Sequence, residues 1–211
     1  MDFPQTTANL LTLSPTNSRN HYIMFKKLLP IFLFFTSCQT SPLDQYQQLV
    51  KKEANGKKAN DLFLNISFGM PSKDFYLHCW NMNKKGLFAD GANNTSVLYK
   101  VPDSLMKHPT DMYFYPEFNR GKVSGMWVRF QYAGWAPWNK ALASDSLLPD
   151  VVQLYQRWYP GGNSFLKIED QAKGTLYVKV DGNRRIIIGK YDDVQVKVDY
   201  TDLSVQPQKA I

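Results

Sequence analysis

The spacing of apolar positions changes period along this chain, and the changes mark out its elements. Leu43, Tyr46, Leu49, Val50 and Ala54 recur at intervals of three and four residues, which places them on one face of a helix. Ser41-Pro42-Leu43-Asp44 supplies the start: a capping hydroxyl, a proline at the first helical position and an acid three residues after the cap. "ANGKKAN" ends it. A second helix is expected from Pro71-Ser72 to Lys84-Lys85-Gly86, with Phe75, Cys79 and Met82 on its inner side.

The period then shortens. Residues 95–101, 111–118 and 122–132 are rich in β-branched and aromatic side chains, and "FNRG" separates the last two like a hairpin loop. A third helix is expected from near Asp145-Ser146, with Leu148, Val151, Val152, Tyr155, Trp158 and Tyr159 as its apolar stripe and Pro160-Gly161-Gly162 as its stop. Strands follow in 164–169, 175–181, 184–191 and 193–203, with Asp181-Gly182-Asn183 as a turn. Valines 194, 196 and 198 alternate with Gln195, Lys197 and Asp199, giving one buried and one wet face. Helices then strands, followed by a helix then strands, predicts an α+β fold: antiparallel β-sheet packed against about three helices. The repeated order also allows two helix-then-sheet halves, 42–140 and 141–203.

One apolar run fits none of these elements. Lys26 and Lys27 precede Leu28–Phe35, which is broken only by Pro30, and Thr36-Ser37 lead into Cys38. A spanning helix needs about 20 apolar residues, so this run is too short to cross a bilayer. Pro30 and the lack of a polar side argue against a buried core helix. Charge, apolar stretch, small residues and cysteine in this order resemble a bacterial lipoprotein signal peptide, with Phe35-Thr36-Ser37-Cys38 as its lipobox and phenylalanine where that family usually has leucine. The resemblance implies cleavage before Cys38, diacylation of its thiol and a mature chain of residues 38–211. With Gln39, not an acid, after the cysteine, it further implies the outer membrane, facing the periplasm. Residues 1–23 show no sustained periodicity, and translation is expected to start at Met24, the first 23 residues coming from a misassigned start.

Composition narrows the chemistry. The formal net charge is +7; removing residues 1–37 takes away Arg19, Lys26, Lys27 and Asp2 and leaves +5. An exported, lipid-anchored chain would not meet nucleic acid, so the excess is read as solubilising charge or attraction to anionic surfaces. With Cys38 acylated, Cys79 has no intramolecular disulfide partner and is expected to be a small core residue. Only His78 and His108 lie beyond the signal segment, too few for a multi-histidine metal site, and His78 and Cys79, as helix neighbours, point in different directions. Asp192-Asp193 and Asp199 with Asp202 sit where aspartate commonly serves turns. "ADGANNT" lacks the ligand pattern of a calcium loop, and there is no phosphate-binding glycine loop and no CxxC pair. No catalytic residue, metal or cofactor is therefore expected.

Aromatic clustering is the strongest remaining signal. "MWVRFQYAGWAPWNK" gathers Trp127, Tyr132, Trp135 and Trp138, and the Trp135-Ala136-Pro137-Trp138 segment falls where a loop is expected. These residues are the candidate contact surface; the alternative is a cluster capping the sheet edge. Arg184 and Arg185 beside the Asp181-Gly182-Asn183 turn form a second candidate, for gripping a carboxylate or phosphate, or else for keeping a hairpin edge soluble. "ISFGMPSKDF", with Gly69, Met70, Ser72 and Lys73 matching and Pro71 intervening, resembles the turn-into-helix that opens small envelope-assembly lipoproteins and modules of the β-lactamase-inhibitor-protein type. That resemblance implies a binding or assembly role, with an envelope protein or glycan as ligand. Two alternatives stay open: a carboxylate-dependent hydrolase of envelope polysaccharide, and a protein inhibitor of an envelope enzyme. Mass spectrometry of the native product is expected to find a chain beginning at a diacylated Cys38; an unmodified cysteine in a cytosolic polypeptide would remove the anchor.

Overall fold

The computed structural model describes residues 41–54, 56–91 and 94–207. The lipidation site at Cys38, the signal segment 24–37 and the extension 1–23 lie outside these residues. Helix α1 spans Pro42–Glu53, α2 Ser72–Lys84 and α3 Ser144–Trp158. The α1 start is built as its sequence requires: the Ser41 hydroxyl accepts from the Asp44 amide at 3.1 Å and donates to the Asp44 carboxylate at 2.7 Å.

Eight strands form one antiparallel sheet: β1 Phe88–Asp90, β2 Val97–Val101, β3 Thr110–Asn119, β4 Lys122–Tyr132, β5 Leu166–Asp170, β6 Gly174–Asp181, β7 Arg184–Lys190 and β8 Val196–Asp202. Their spatial order is β1-β2-β3-β4-β8-β7-β6-β5, so β4 and β8 are central neighbours although about 70 residues of chain separate them. With three helices against an antiparallel sheet, the fold is α+β. The short edge strand β1 has no counterpart in the expected strands: at three residues it is too brief for alternation to register.

Register fixes which side chains share a face. In β4 and β8, Val128 lies opposite Val198 and Phe130 opposite Val196, while Trp127 lies opposite Asp199 and Arg129 opposite Lys197. The first set faces a large apolar core with Met112 and Phe114 of β3, Ile186 and Ile188 of β7, and Leu147, Val151, Leu154 and Tyr155 of α3. Residues 62–68 complete it: the Phe63 ring stands edge-on to Phe114 at 5.1 Å and near Tyr200 at 5.6 Å. Leu147 and Leu154 are fully buried alongside the expected stripe of α3. Phe75 is the buried residue of α2, and Cys79 and Met82 sit partly buried on the same core.

The opposite face is covered unevenly. Tyr46, Leu49 and Val50 of α1 lie on Ile168, Leu176, Val178, Val180 and Ile187, closing the β5-β6-β7 end. Ties from the β6–β7 turn hold this end in place. Gly182 adopts φ +55° with the Lys57 carbonyl so close that any Cβ would collide with it, so glycine is required twice over. Beside it, the Ala59 amide donates to Asn183 Oδ1 at 2.8 Å, and Asn183 Nδ2 donates to Asp202 at 2.9 Å.

Glu53, on the last turn of α1, accepts from the Gly182 amide at 3.0 Å and from Asn163 Nδ2 at 3.1 Å. These bonds, the backbone one foremost, hold its carboxyl below the usual carboxylate range. A depressed folded-state value means that the stabilisation is complete above the unfolded-state value and disappears as pH falls through the depressed one. Glu53→Gln is therefore expected to lower stability by about 1 kcal/mol at pH 7, with the two proteins converging in acid. Urea unfolding midpoints at pH 7 and in acid would check both the loss and the convergence.

Candidate functional site

Beyond the edge of α1, the β3-β4-β8 part of the second face is open. The side chains that alternation sends there are Tyr113 from β3, Trp127, Arg129 and Gln131 from β4, and Lys197 and Asp199 from β8. Tyr191 and Gln195, from the β7–β8 connection, close the rim of a recess of about 570 Å³. A second recess of about 760 Å³ shares Tyr191, Lys197 and Asp199 with it and continues toward β7 and β6.

Most groups in this recess are already organised. Lys197 Nζ pairs with Asp199 at 2.6 Å, and Gln195 Nε2 donates to Gln131 Oε1 at 2.9 Å. Burial, reinforced by Asp111, which accepts from its hydroxyl, pushes the Tyr113 phenol upward. Arg129 differs from these. Its guanidinium lies 3.8 Å from the centre of the Tyr191 ring and 5.7 Å from that of Trp127, and its hydrogen bond to the Val128 carbonyl is long at 3.4 Å. Among the described residues no carboxylate pairs with it.

The residues singled out in the sequence separate in space. Trp127 stands in the recess. Tyr132, two strand positions past Phe130 on the same parity, is in the core: 1% exposed, its hydroxyl donates to Asp150 and its ring meets His108 edge-on. It therefore belongs to no contact surface. Trp135 and Trp138 follow β4 in a loop, the first partly and the second 86% exposed, and neither lines the recess. Arg184 and Arg185 do not make a solvent-facing grip, because both are buried and, as strand neighbours, they point to opposite faces. Arg184 lies over the Tyr159 ring at 4.3 Å and donates to the Asp61 carbonyl and to Asp181. Arg185 donates to Tyr46 of α1 at 3.0 Å and to Thr201 at 3.2 Å.

Tyr113, Arg129, Lys197 and Tyr191 went unrecognised as a group in the sequence, although strict alternation in 122–132 separates Trp127 and Arg129 from Phe130 and Tyr132.

Elsewhere, two of the polar side chains serve the fold. The His78 ring Nε2 is 2.9 Å from the Leu64 carbonyl oxygen, and Asp192 accepts from the amides of Val194 and Gln195 in a tight turn. No cluster of three or more histidines, cysteines or acids that could hold a metal ion occurs among the described residues. Burial pushes the Cys79 thiol up to about 11. At pH 8 it is expected to alkylate roughly 100-fold more slowly than an ordinary free thiol, which the rate of iodoacetamide labelling followed by mass spectrometry would check. Comparison with protein-family models, with curated proteins and with solved structures found no match, so the reading of this site rests on its geometry.

Proposed function

We propose that this chain is an exported bacterial lipoprotein whose folded part is a non-enzymatic binding or envelope-assembly module, taking its ligand on the open face of the sheet. One observation carries the second half of that reading: α1 seals one end of the second face with apolar contacts, whereas the β3-β4-β8 part presents Tyr113, Trp127 and Arg129 beside a recess. A surface kept merely soluble would need charge alone; large aromatic rings beside an unpaired guanidinium are the residue types that concentrate binding energy. The lipobox-like Phe35-Thr36-Ser37-Cys38 carries the first half and makes the outer membrane, on its periplasmic side, the expected address.

The hydrolase alternative draws support from Glu117 and Asp199, which line the same recess. A glycosidase needs one acid free to protonate a leaving group and one to act as base or nucleophile. Asp199 is engaged by Lys197 at 2.6 Å, a contact that fits a structural ion pair better than a catalytic acid. The inhibitor alternative uses the same face as the binding reading and differs in the partner.

Photo-crosslinking in the producing cell tests the surface. A photoreactive residue at position 131, on the recess, is expected to give specific adducts, and one at exposed position 81 on α2 is expected to give none. Equal labelling from both positions, or labelling from 81 alone, would place the contact elsewhere on the protein.

A further inference from the structure

We infer that the recess binds the carboxylate of an acidic saccharide, with Arg129 as the anion-binding group and Trp127 and Tyr113 as platforms for the sugar rings. This assigns a ligand class to the open sheet face and rests on that face being the ligand surface.

Charge comes first. The Arg129 guanidinium is held against the Tyr191 ring at 3.8 Å. A guanidinium set over a ring can still donate two parallel hydrogen bonds from its N–H edge to a planar anion. The other cation of this recess, Lys197, is neutralised by Asp199. The remaining acid, Glu117, sits at the far end: it lies opposite Gly125, and its carboxylate is so close that a Cβ on Gly125 would stand 2.9 Å from Glu117 Oε2. From 125 to 129 the strand advances about 13 Å, so Glu117 does not cancel the charge on Arg129. Asp111, on this face opposite Gln131, accepts from the Tyr113 hydroxyl, so among the described residues Arg129 is the cation of this recess that no carboxylate engages.

The shape of the surface selects a saccharide over a peptide. An extended peptide is commonly recognised through its backbone at a sheet edge, but β4 and β8 are interior strands whose backbone groups are committed to their neighbours. Recognition here must run through side chains. The side chains present are aromatic rings, a pair of amides at Gln131 and Gln195 and a guanidinium, which match the apolar ring faces, the adjacent hydroxyls and the carboxylate of a uronic acid. The adjoining recess past Tyr191 and Lys197 extends the surface in the manner suited to a chain of sugars.

Titration calorimetry of the full chain in detergent, with tetragalacturonate, its methyl ester and a glucuronate-containing tetrasaccharide, tests this. At least one uronate is expected to bind, and where the methyl ester is compared it should bind about tenfold more weakly, the loss of one charge-assisted contact. Arg129→Gln should remove that discrimination, Arg129→Lys should fall between, and Trp127→Ala should weaken acid and ester alike. Lys51→Gln with Lys52→Gln, on α1, should change nothing, which separates the site from general attraction to a basic protein. Equal binding of acid and ester, discrimination surviving in Arg129→Gln, or no uronate binding at all overturns the inference. Binding of an oligoglutamate peptide instead, sensitive to Arg129→Gln, overturns the saccharide while sparing the surface; loss of the position-131 crosslinks overturns the surface itself.

Discussion

The β4–β8 ladder is the constraint on which the rest of the protein depends. It joins the strands that follow the first two helices to those that follow α3, and its register decides which side chains share each face. Val128, Phe130, Val196 and Val198 must meet α3 and the 62–68 segment; once they do, Trp127, Arg129, Lys197 and Asp199 have no choice but to share the other side. A slip of β8 by one residue against β4 would turn Lys197 and Asp199 toward the core and send Val196 and Val198 to the open face. Core and recess are in that sense two readings of one alternation.

The recess is open because α1 is short and lies toward one end. Its apolar residues reach β5, β6 and β7 and stop there, and the polar ties from Glu53 and Asn183 fix where it stops. The charged groups of the β6–β7 hairpin belong to this fastening. Lys179 Nζ donates to the Gly161 carbonyl at 2.6 Å and also to the Asn163 carbonyl, while Arg184 and Arg185 are spent on Asp61, Tyr46 and Thr201. Buried cations of this kind are tolerated when carbonyls and carboxylates meet them, and removing one of their partners costs more than the pair contributes.

Much of this was legible in the chain. The three helices and seven of the eight strands follow from period and punctuation, because Ser41-Pro42, Pro160-Gly161-Gly162 and Asp181-Gly182-Asn183 act locally. The site was only partly legible. Density of tryptophan drew attention to 127–138 as one cluster, but β4 divides it between two faces and the loop carries Trp135 and Trp138 away from the recess. Arg129 gains its meaning from Tyr191, more than 60 positions onward in the chain, and no local pattern records that meeting. Arg184 and Arg185 misled for the opposite reason: a turn beside basic residues reads as exposed, and only the return of residues 57–61 and of α1 across the hairpin buries them.

Strand order also sets a timetable. The seam of the sheet cannot close until residues 196–202 are available, and its partners lie about 65–75 positions apart along the chain. Topologies dominated by such distant pairings fold slowly. Until the last strand arrives, β4 is an unpaired edge rich in valine, phenylalanine and tryptophan, the kind of edge that joins other chains. A chain cut short before Val196 would thus lose more than one strand: it would leave its most adhesive border permanently uncovered.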